Sequence, residues 1–466
     1  MSTSTEITAL PVVVIGAGPV GLAAAAHLAE RGIGFLVLEA GDEAGAAIRR
    51  WGHVRVFSPW RYDTDAAARR LLEAAGWNAP DPDVLPTGHE LVDDYLRPLA
   101  QLPQIAPYLR FGRRVTAISR LGMDRVRSRG REDAPFLIRT LTADGPARLH
   151  ARAVIDASGT YRTPNVLGAS GLPASGEQEA AAWIEPALPD VLGADRARFA
   201  GKRALVVGAG HSAANTLISL ARLAEQAPGT SVSWAVRGRS AARSYGGGEA
   251  DELPARGALG SRVRELVESG RVSLLTGFGI EALDAAGGRV CVTAGDGRAV
   301  SVDRIVSATG FRPDHAIAAE LRLDLDPVLG ATRALAPLID PNEHSCGTVP
   351  PHGEAELAHP EPGYYAVGMK SYGRAPTFLM ATGYEQVRSV VAALAGDWEA
   401  ARDVRLELPE TGVCSAAPGL GGPSGCCEAP AVVEVCLTRD PAGGAASGSP
   451  AGAMPSAAAA HTSGCC

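Results

Sequence analysis

The stretch PVVVIGAGPVGLAAAAHLAERGIGFLVLE, residues 11–39, decides the fold. Its opening apolar run, bounded by a glycine turn, has the pattern of a strand buried on both faces of a parallel sheet. Gly16, Gly18 and Gly21 follow at the G-x-G-x-x-G spacing, with Pro19 where a helix starts, Leu22–Glu30 as that helix and Gly34–Glu39 as a second strand. The three glycines serve a tight turn, close approach of backbone to a pyrophosphate, and close packing of helix on strand, in that order. The acid that ends the second strand, Glu39, can accept from a ribose hydroxyl. A glycine triplet alone is weak. The full series of strand, turn, helix, strand and acid predicts a dinucleotide site at a helix N-terminus.

The series returns further on. KRALVV (202–207) reads as a strand, Gly208, Gly210, His211, Ser212 and Ala213 belong to the turn, Ala214–Gln226 is the helix and Ser231–Val236 the next strand. This one ends in Arg237, with Arg239 beside it, in place of an acid. Two guanidiniums at the ribose end suit a 2′-phosphate and favour NADPH over NADH. A quieter repeat joins the units: AVIDASGTYRTPN (153–165) matches RIVSATGFRPD (304–314), each an apolar strand ending in a small–Ser/Thr–Gly turn. Gly159 lies in the first turn, Thr309 and Gly310 in the second. One precedes the second glycine loop and the other follows it, so the second module interrupts the first. The predicted fold is α/β, with two Rossmann-like doubly wound modules. Residues 1–165 and 303–400 form an FAD-binding module, 166–302 an inserted NADPH-binding module, and 401–466 a C-terminal extension.

Composition bounds the rest. A chain of 466 residues that is 46% hydrophobic and 20% charged has globular composition, and a net charge of −7 with no basic block argues against nucleic acid. The apolar region Ala9–Ala29 is broken by Pro11, Gly16, Gly18, Pro19 and Gly21, which argues against a membrane span. The first ten residues lack the basic start of a secretory signal, so a cytoplasmic location is expected. There, cysteines are expected as thiols. Six of the eight lie at or after Cys414, and Ser-Gly-Cys-Cys occurs twice, ending at Cys427 and at Cys466. Neighbouring Cα atoms sit about 3.8 Å apart against the roughly 4.4–6.8 Å of a relaxed disulfide, so a bond within either pair is strained. From Pro441 onward Ala, Gly, Ser and Pro dominate, which predicts a largely disordered tail. Cys426, Cys427, Cys465 and Cys466 are soft-ion ligands on that tail, or an incidental set of reactive thiols.

Two nucleotide units in this order resemble the two-dinucleotide-binding flavoproteins, which include disulfide reductases and flavin monooxygenases. A reductase of that kind needs a cysteine pair against the flavin. The first cysteine here is Cys291, without a near partner in sequence, and Ala308-Thr-Gly-Phe311 and Gly159–Asn165 resemble the crossover motifs of the monooxygenase branch. One departure stands out: no histidine lies between His150 and His211, so the Phe-x-Gly-x-x-x-His signature of amine and sulfide oxidisers is missing. VFSPWRYD (56–63), PTGHELVDDYLRPLA (86–100), GMKSYGRAPTFLMATGYEQVRS (368–389) and LPETGVCS (408–415) resemble flavin monooxygenases of bacterial arsenic-resistance operons. That resemblance spans nearly all of residues 10–415. It implies NADPH- and FAD-dependent oxidation of a trivalent arsenical, methylarsenite or arsenite, by molecular oxygen.

Such chemistry needs no protein nucleophile, because the cofactor supplies the difficult steps. Thr382-Gly383-Tyr-Glu385 has capping-box spacing at the start of a helix ending near Gly396, and a helix N-terminus there would favour negative charge on a flavin. Trp60, Tyr161 and Tyr372 wall the flavin or fill core, while Arg61, Lys370 and Arg374 hold phosphate or an oxyanion product, or face solvent. Tyr161, Asn165, Tyr372 and Arg374 are the catalytic candidates. Two other classes stay open: a reductase passing electrons from NADPH to the tail thiols, and a flavoprotein that sequesters metalloid on them.

Overall fold

The computed structural model describes residues 7–246, 254–344, 349–376 and 378–406. Val12–Ile15 (β1) is buried throughout, and its two faces go to different cores. Val12 and Val14 pack with the helices Pro19–Glu30 (α1) and Ala66–Ala74, whereas Val13 and Ile15 pack against an antiparallel meander. That alternation is the period-two rule for a strand covered on both sides. β1 pairs in parallel with Phe35–Leu38 (β2), Val12 facing Phe35, and Leu109–Arg110 (β3) lies beyond β2. The meander Arg114–Arg120 (β4), Phe136–Thr142 (β5) and Gly145–Ala151 (β6) then leads into Ala153–Asp156 (β7), which returns beside β1 with Asp156 facing Ile15.

The second parallel sheet is built from the intervening chain. It holds Ile184–Pro186 (β8), Arg203–Val207 (β9), Ser231–Ala235 (β10) and Ser273–Leu275 (β11). A second meander, Ile280–Ala286 (β12), Arg289–Ala294 (β13) and Ala299–Val302 (β14), again leads into the returning strand, Arg304–Ser307 (β15). Tyr364–Ala366 (β16) completes the first sheet, whose order is β16-β7-β1-β2-β3, against β11-β10-β9-β15-β8 in the second. β15 pairs with β9 and β8, within the second sheet. The two returning strands share a sequence pattern, and only hydrogen bonding tells which sheet each joins.

The helices that matter for the site are α1, Ala46–Arg49 (α2), Trp60–Asp63 (α3), Ala66–Ala74 (α4), His211–Gln226 (α5) and Met380–Leu394 (α6). α6 crosses α1 closely, because a Cβ on Gly383 would come within 2.5 Å of the Val20 side chain. A buried Glu361, bound by Arg120 at 2.7 Å and Arg131 at 2.8 Å, anchors the first meander to the loop ahead of β16. Cys291, on β13 and the one cysteine among the described residues, is disulfide-bonded, which corrects the expectation of a thiol at this position. No helix among the described residues is long and apolar enough to cross a membrane.

Candidate functional site

The first loop uses its three glycines differently. Gly16 has φ +100°, and a Cβ there would stand 2.6 Å from the Ala157 carbonyl; one on Gly21 would stand 2.0 Å from the Gly16 carbonyl. Both are glycine because protein crowds them. Around Gly18 nothing lies within 4 Å, so the open side there is a cradle that a side chain would fill. α1 starts at Pro19 with Gly18 as its uncapped N-cap, leaving the first-turn N–H groups aimed outward. Glu39 ties the loop down: its carboxylate accepts from Ala17 N–H at 2.8 Å and Gly41 N–H at 2.7 Å. Beyond it opens a cleft of about 230 Å³ lined by Gly41, Glu43, Arg49, Arg50, Tyr161 and Arg162, among others. Arg49 is engaged by Glu43 at 3.0 Å and Asp93 at 2.8 Å. An open glycine, uncapped N–H groups and arginines along an adjoining cleft fit the diphosphate of FAD.

The second loop repeats the construction with less cover. Gly208 has φ +132°, and a Cβ on it would meet the Ala308 carbonyl at 2.1 Å, while Gly210 again has nothing within 4 Å. α5 starts at His211 with no side-chain cap. Ser212 and the fully buried Ala213 complete its first turn, Ala213 standing where the first loop has Gly21. Ala209, Gly210 and His211 are exposed, as are Arg237 and Arg239 past the end of β10. Arg237 donates to the Ala169 carbonyl at 3.1 Å, which holds its guanidinium beside the site with further N–H groups available. These residues fit a nucleotide carrying a 2′-phosphate. The modules touch through Phe57, whose ring lies 4.9 Å from that of His211.

The crossovers are stitched to each other. Asn165 donates to the Thr309 carbonyl at 2.9 Å and accepts from Arg312 at 2.9 Å; its backbone carbonyl takes the Thr309 hydroxyl at 2.8 Å, and its N–H bonds Gly310. Asn165 is therefore engaged as a clasp between modules, with its side-chain amide committed on both ends. Gly159 makes the turn with φ +68°. Tyr161 is half-buried, 5.4 Å from Phe311 and on the cleft wall; burial pushes its phenol up and Arg50 opposes the shift.

Several expected site residues sit elsewhere. Lys370 is not a surface group: it is 1% exposed and pairs with the fully buried Asp156 at 2.6 Å. Burial alone would raise the Asp156 carboxyl, but the Lys370 ammonium and two Ser158 hydrogen bonds hold it below the ordinary range. Tyr372 is wholly buried, edge-on to Phe378 at 5.2 Å with its hydroxyl 3.5 Å from His352. Arg374 is exposed, and Arg61 pairs with Asp83. Trp60, the first residue of α3, is 4% exposed and packed in the first core. Thr382 is not a cap. α6 begins two residues earlier, at Met380 after Leu379, and Glu385 is held by Arg388 at 2.7 Å. The helix N-terminus is uncapped all the same. A capping box does form at Thr87 with Glu90. Gly383 serves helix contact with Val20. The four tail cysteines, Cys426, Cys427, Cys465 and Cys466, lie outside the described residues.

Sequence reasoning missed Asp63, which is 1% exposed and bonded to Ser58 Oγ at 2.7 Å. An acid inside the apolar segment VFSPWRYD was the available signal.

The family profile described as pyridine nucleotide-disulphide oxidoreductase matches residues 13–328. Among solved structures, the chain is similar to bacillithiol disulfide reductase Bdr (YpdA) from Bacillus cereus, with 18% identity over 83% of this chain and 99% of that one and a TM-score of 0.61. It is similar also to the FAD-bound cadaverine monooxygenase DfoA from Erwinia amylovora, with 15% identity over 89% and 99% and a TM-score of 0.57. A flavin monooxygenase from Stenotrophomonas maltophilia gives 19% identity over 83% and 98% and a TM-score of 0.53. A search of curated proteins finds no match. A reductase and monooxygenases share this fold, so fold alone does not choose between them.

Proposed function

Because the chain belongs to the pyridine nucleotide-disulphide oxidoreductase family, as an oxidoreductase using FAD and NADPH, we propose that it is a flavin monooxygenase acting on a trivalent arsenical, methylarsenite or arsenite. The observation that carries this reading is a convergence. The segments 56–63 and 368–389, which hold much of the resemblance to arsenic-operon monooxygenases, fold into one wall: Tyr384 Oη donates to the Asp63 carbonyl at 2.7 Å. The same wall presents Phe57 to His211 of the NADPH module. The one described cysteine, Cys291, belongs to the meander of the second module, and no dithiol stands on that wall among the described residues. The choice of an arsenical rests on the segment resemblance.

Bound FAD supplies hydride acceptance and, with dioxygen, oxygen transfer to the arsenic lone pair. One oxygen atom goes to arsenic and the other to water, with the NADPH hydride and a proton balancing the equation. The chain binds, orients and excludes water. Gly16, Gly18, Gly21 and the first turn of α1 would hold the FAD diphosphate, with Glu39 at the ribose and Arg50 and Arg162 along the cleft. Gly208, Gly210 and α5 would hold NADPH, with Arg237 and Arg239 at its 2′-phosphate. The N–H groups at the head of α6 favour negative charge on the flavin, and Tyr161 is the catalytic candidate still facing the cleft. Cys426, Cys427, Cys465 and Cys466 would capture the soft ion as thiolates and raise its concentration near the site.

The test supplies FAD-loaded protein with NADPH, methylarsenite and isotopically heavy dioxygen. Label in the pentavalent arsenic product is the expected result; unlabelled product, or none, overturns the proposal.

A further inference from the structure

Asp63 closes α3, and one of its carboxyl oxygens is accounted for while the other is not. Oδ1 accepts from Ser58 Oγ at 2.7 Å, whereas Oδ2 is shut off from solvent with no hydrogen-bond partner. The groups facing it come from each element packed around α3. Ser58 belongs to its own segment, and Tyr384 reaches from α6 to its backbone carbonyl. Behind Tyr384 stands Tyr95, on the π-helix Leu91–Leu96, whose hydroxyl takes the Asp65 N–H at 2.9 Å. Asp65, at the head of α4, is itself 3.0 Å from His27 of α1. The one basic group of this string is thus committed to Asp65, and Asp63 has no cation against it.

A carboxylate buried without a counter-ion or donors is costly enough that the group stays neutral instead. We propose that Asp63 is a positioning residue of the site, a buried carboxyl that ties the Phe57–Ser58–Pro59 turn to the end of α3, which Tyr384 of α6 holds through the Asp63 backbone carbonyl, and so sets the Phe57–His211 contact between the modules. This rests on the reading that hydride passes between nucleotide and flavin where the modules meet. Burial raises the Asp63 carboxyl to about 8, with Ser58 pulling the other way. The sign follows: the folded protein holds this proton more tightly than the unfolded chain, so the stabilisation is complete below the ordinary carboxyl range and is lost as pH rises towards about 8. Ionisation places an unpaired charge under the turn and draws water to it, which loosens Phe57.

Asp63→Asn keeps the size and stays neutral at every pH. In the FAD holoprotein, difference infrared spectroscopy should show a protonated-carboxyl band that is missing from Asp63→Asn and that fades with a midpoint near 8. Flavin reduction by NADPH under nitrogen should slow in the wild type by up to about tenfold one pH unit above that midpoint, and stay flat in Asp63→Asn. Neither readout involves oxygen or an arsenical, so failure here is separate from failure of the monooxygenase reading. Absence of the band, or a shared pH profile in the two proteins, overturns the proposal. Should Asp63→Asn not fold, Ser58→Ala removes the group that pulls the carboxyl down, and the midpoint should move to higher pH; an unmoved midpoint counts against the role.

Discussion

The two glycine loops follow one plan under different cover. In each, the first glycine lies against the carbonyl of a crossover alanine, Ala157 or Ala308, and the middle glycine faces open space. Ala17 of the first loop is buried and Ala209 of the second is exposed. Glu39 takes two backbone N–H groups of the first loop, while the other module ends its second strand on exposed arginines. The returning strands differ in the same sense. Asp156 ends β7 bonded to Ser158 at 2.6 Å and to Lys370, whereas the matching Ser307 ends β15 bonded to Thr309 at 3.1 Å. One module is fastened from both sides, as suits a nucleotide that stays. The other is open on one side, as suits a nucleotide that comes and goes.

The largest expected effect breaks the fastening. Lys370→Met leaves Asp156 buried without its cation and should cost about 3–5 kcal/mol, read by denaturant unfolding together with loss of bound flavin. Acid should act on the same pair. Because Asp156 is held below its ordinary range, the stabilisation it contributes is present above that range and is lost as pH falls below it towards the depressed value, a slope that Asp156→Asn should abolish. Next come the glycines. Gly16→Ala combines a left-handed φ with a carbonyl overlap and belongs at the upper end of about 1–3 kcal/mol, with FAD content falling. Gly208→Ala should raise the KM for NADPH and leave FAD in place; equal loss of FAD from both would erase the distinction between the modules.

A smaller effect sharpens it. Arg237→Ala should cost about tenfold, or about 1.4 kcal/mol, in kcat/KM for NADPH while sparing NADH. An unchanged preference removes Arg237 from the 2′-phosphate. Smallest should be the change of Cys426, Cys427, Cys465 and Cys466 to serine. Flavin content and melting temperature should hold, and only the KM for the arsenical at low concentration should rise, with kcat at saturation kept.

What is legible in the sequence is local. Both glycine series and the paired crossovers are short-range patterns, and the strands and helices they imply form at those residues. What is not legible is pairing at long range. Lys370 looks like a surface lysine until Asp156, distant in sequence, is beside it. Asn165 looks like a free amide until the second crossover takes both its ends. Thr382 and Glu385 have the right spacing for a cap, but the helix starts two residues sooner and Arg388 claims the acid. β15 reads as part of the first module because its pattern equals that of β7, yet it pairs in the second. Asp63 escapes notice because nothing in its neighbours tells that its second oxygen is buried alone.

In the proposed reaction NADPH reduces a resident flavin, which then passes oxygen to arsenic(III). The most direct test is NADPH consumption by the FAD holoprotein with and without methylarsenite, in air and under nitrogen. The account predicts stimulation by methylarsenite only in air, with one pentavalent arsenic formed for each added NADPH consumed. Equal stimulation under nitrogen, or arsenical binding that leaves NADPH consumption unchanged in air, would contradict it.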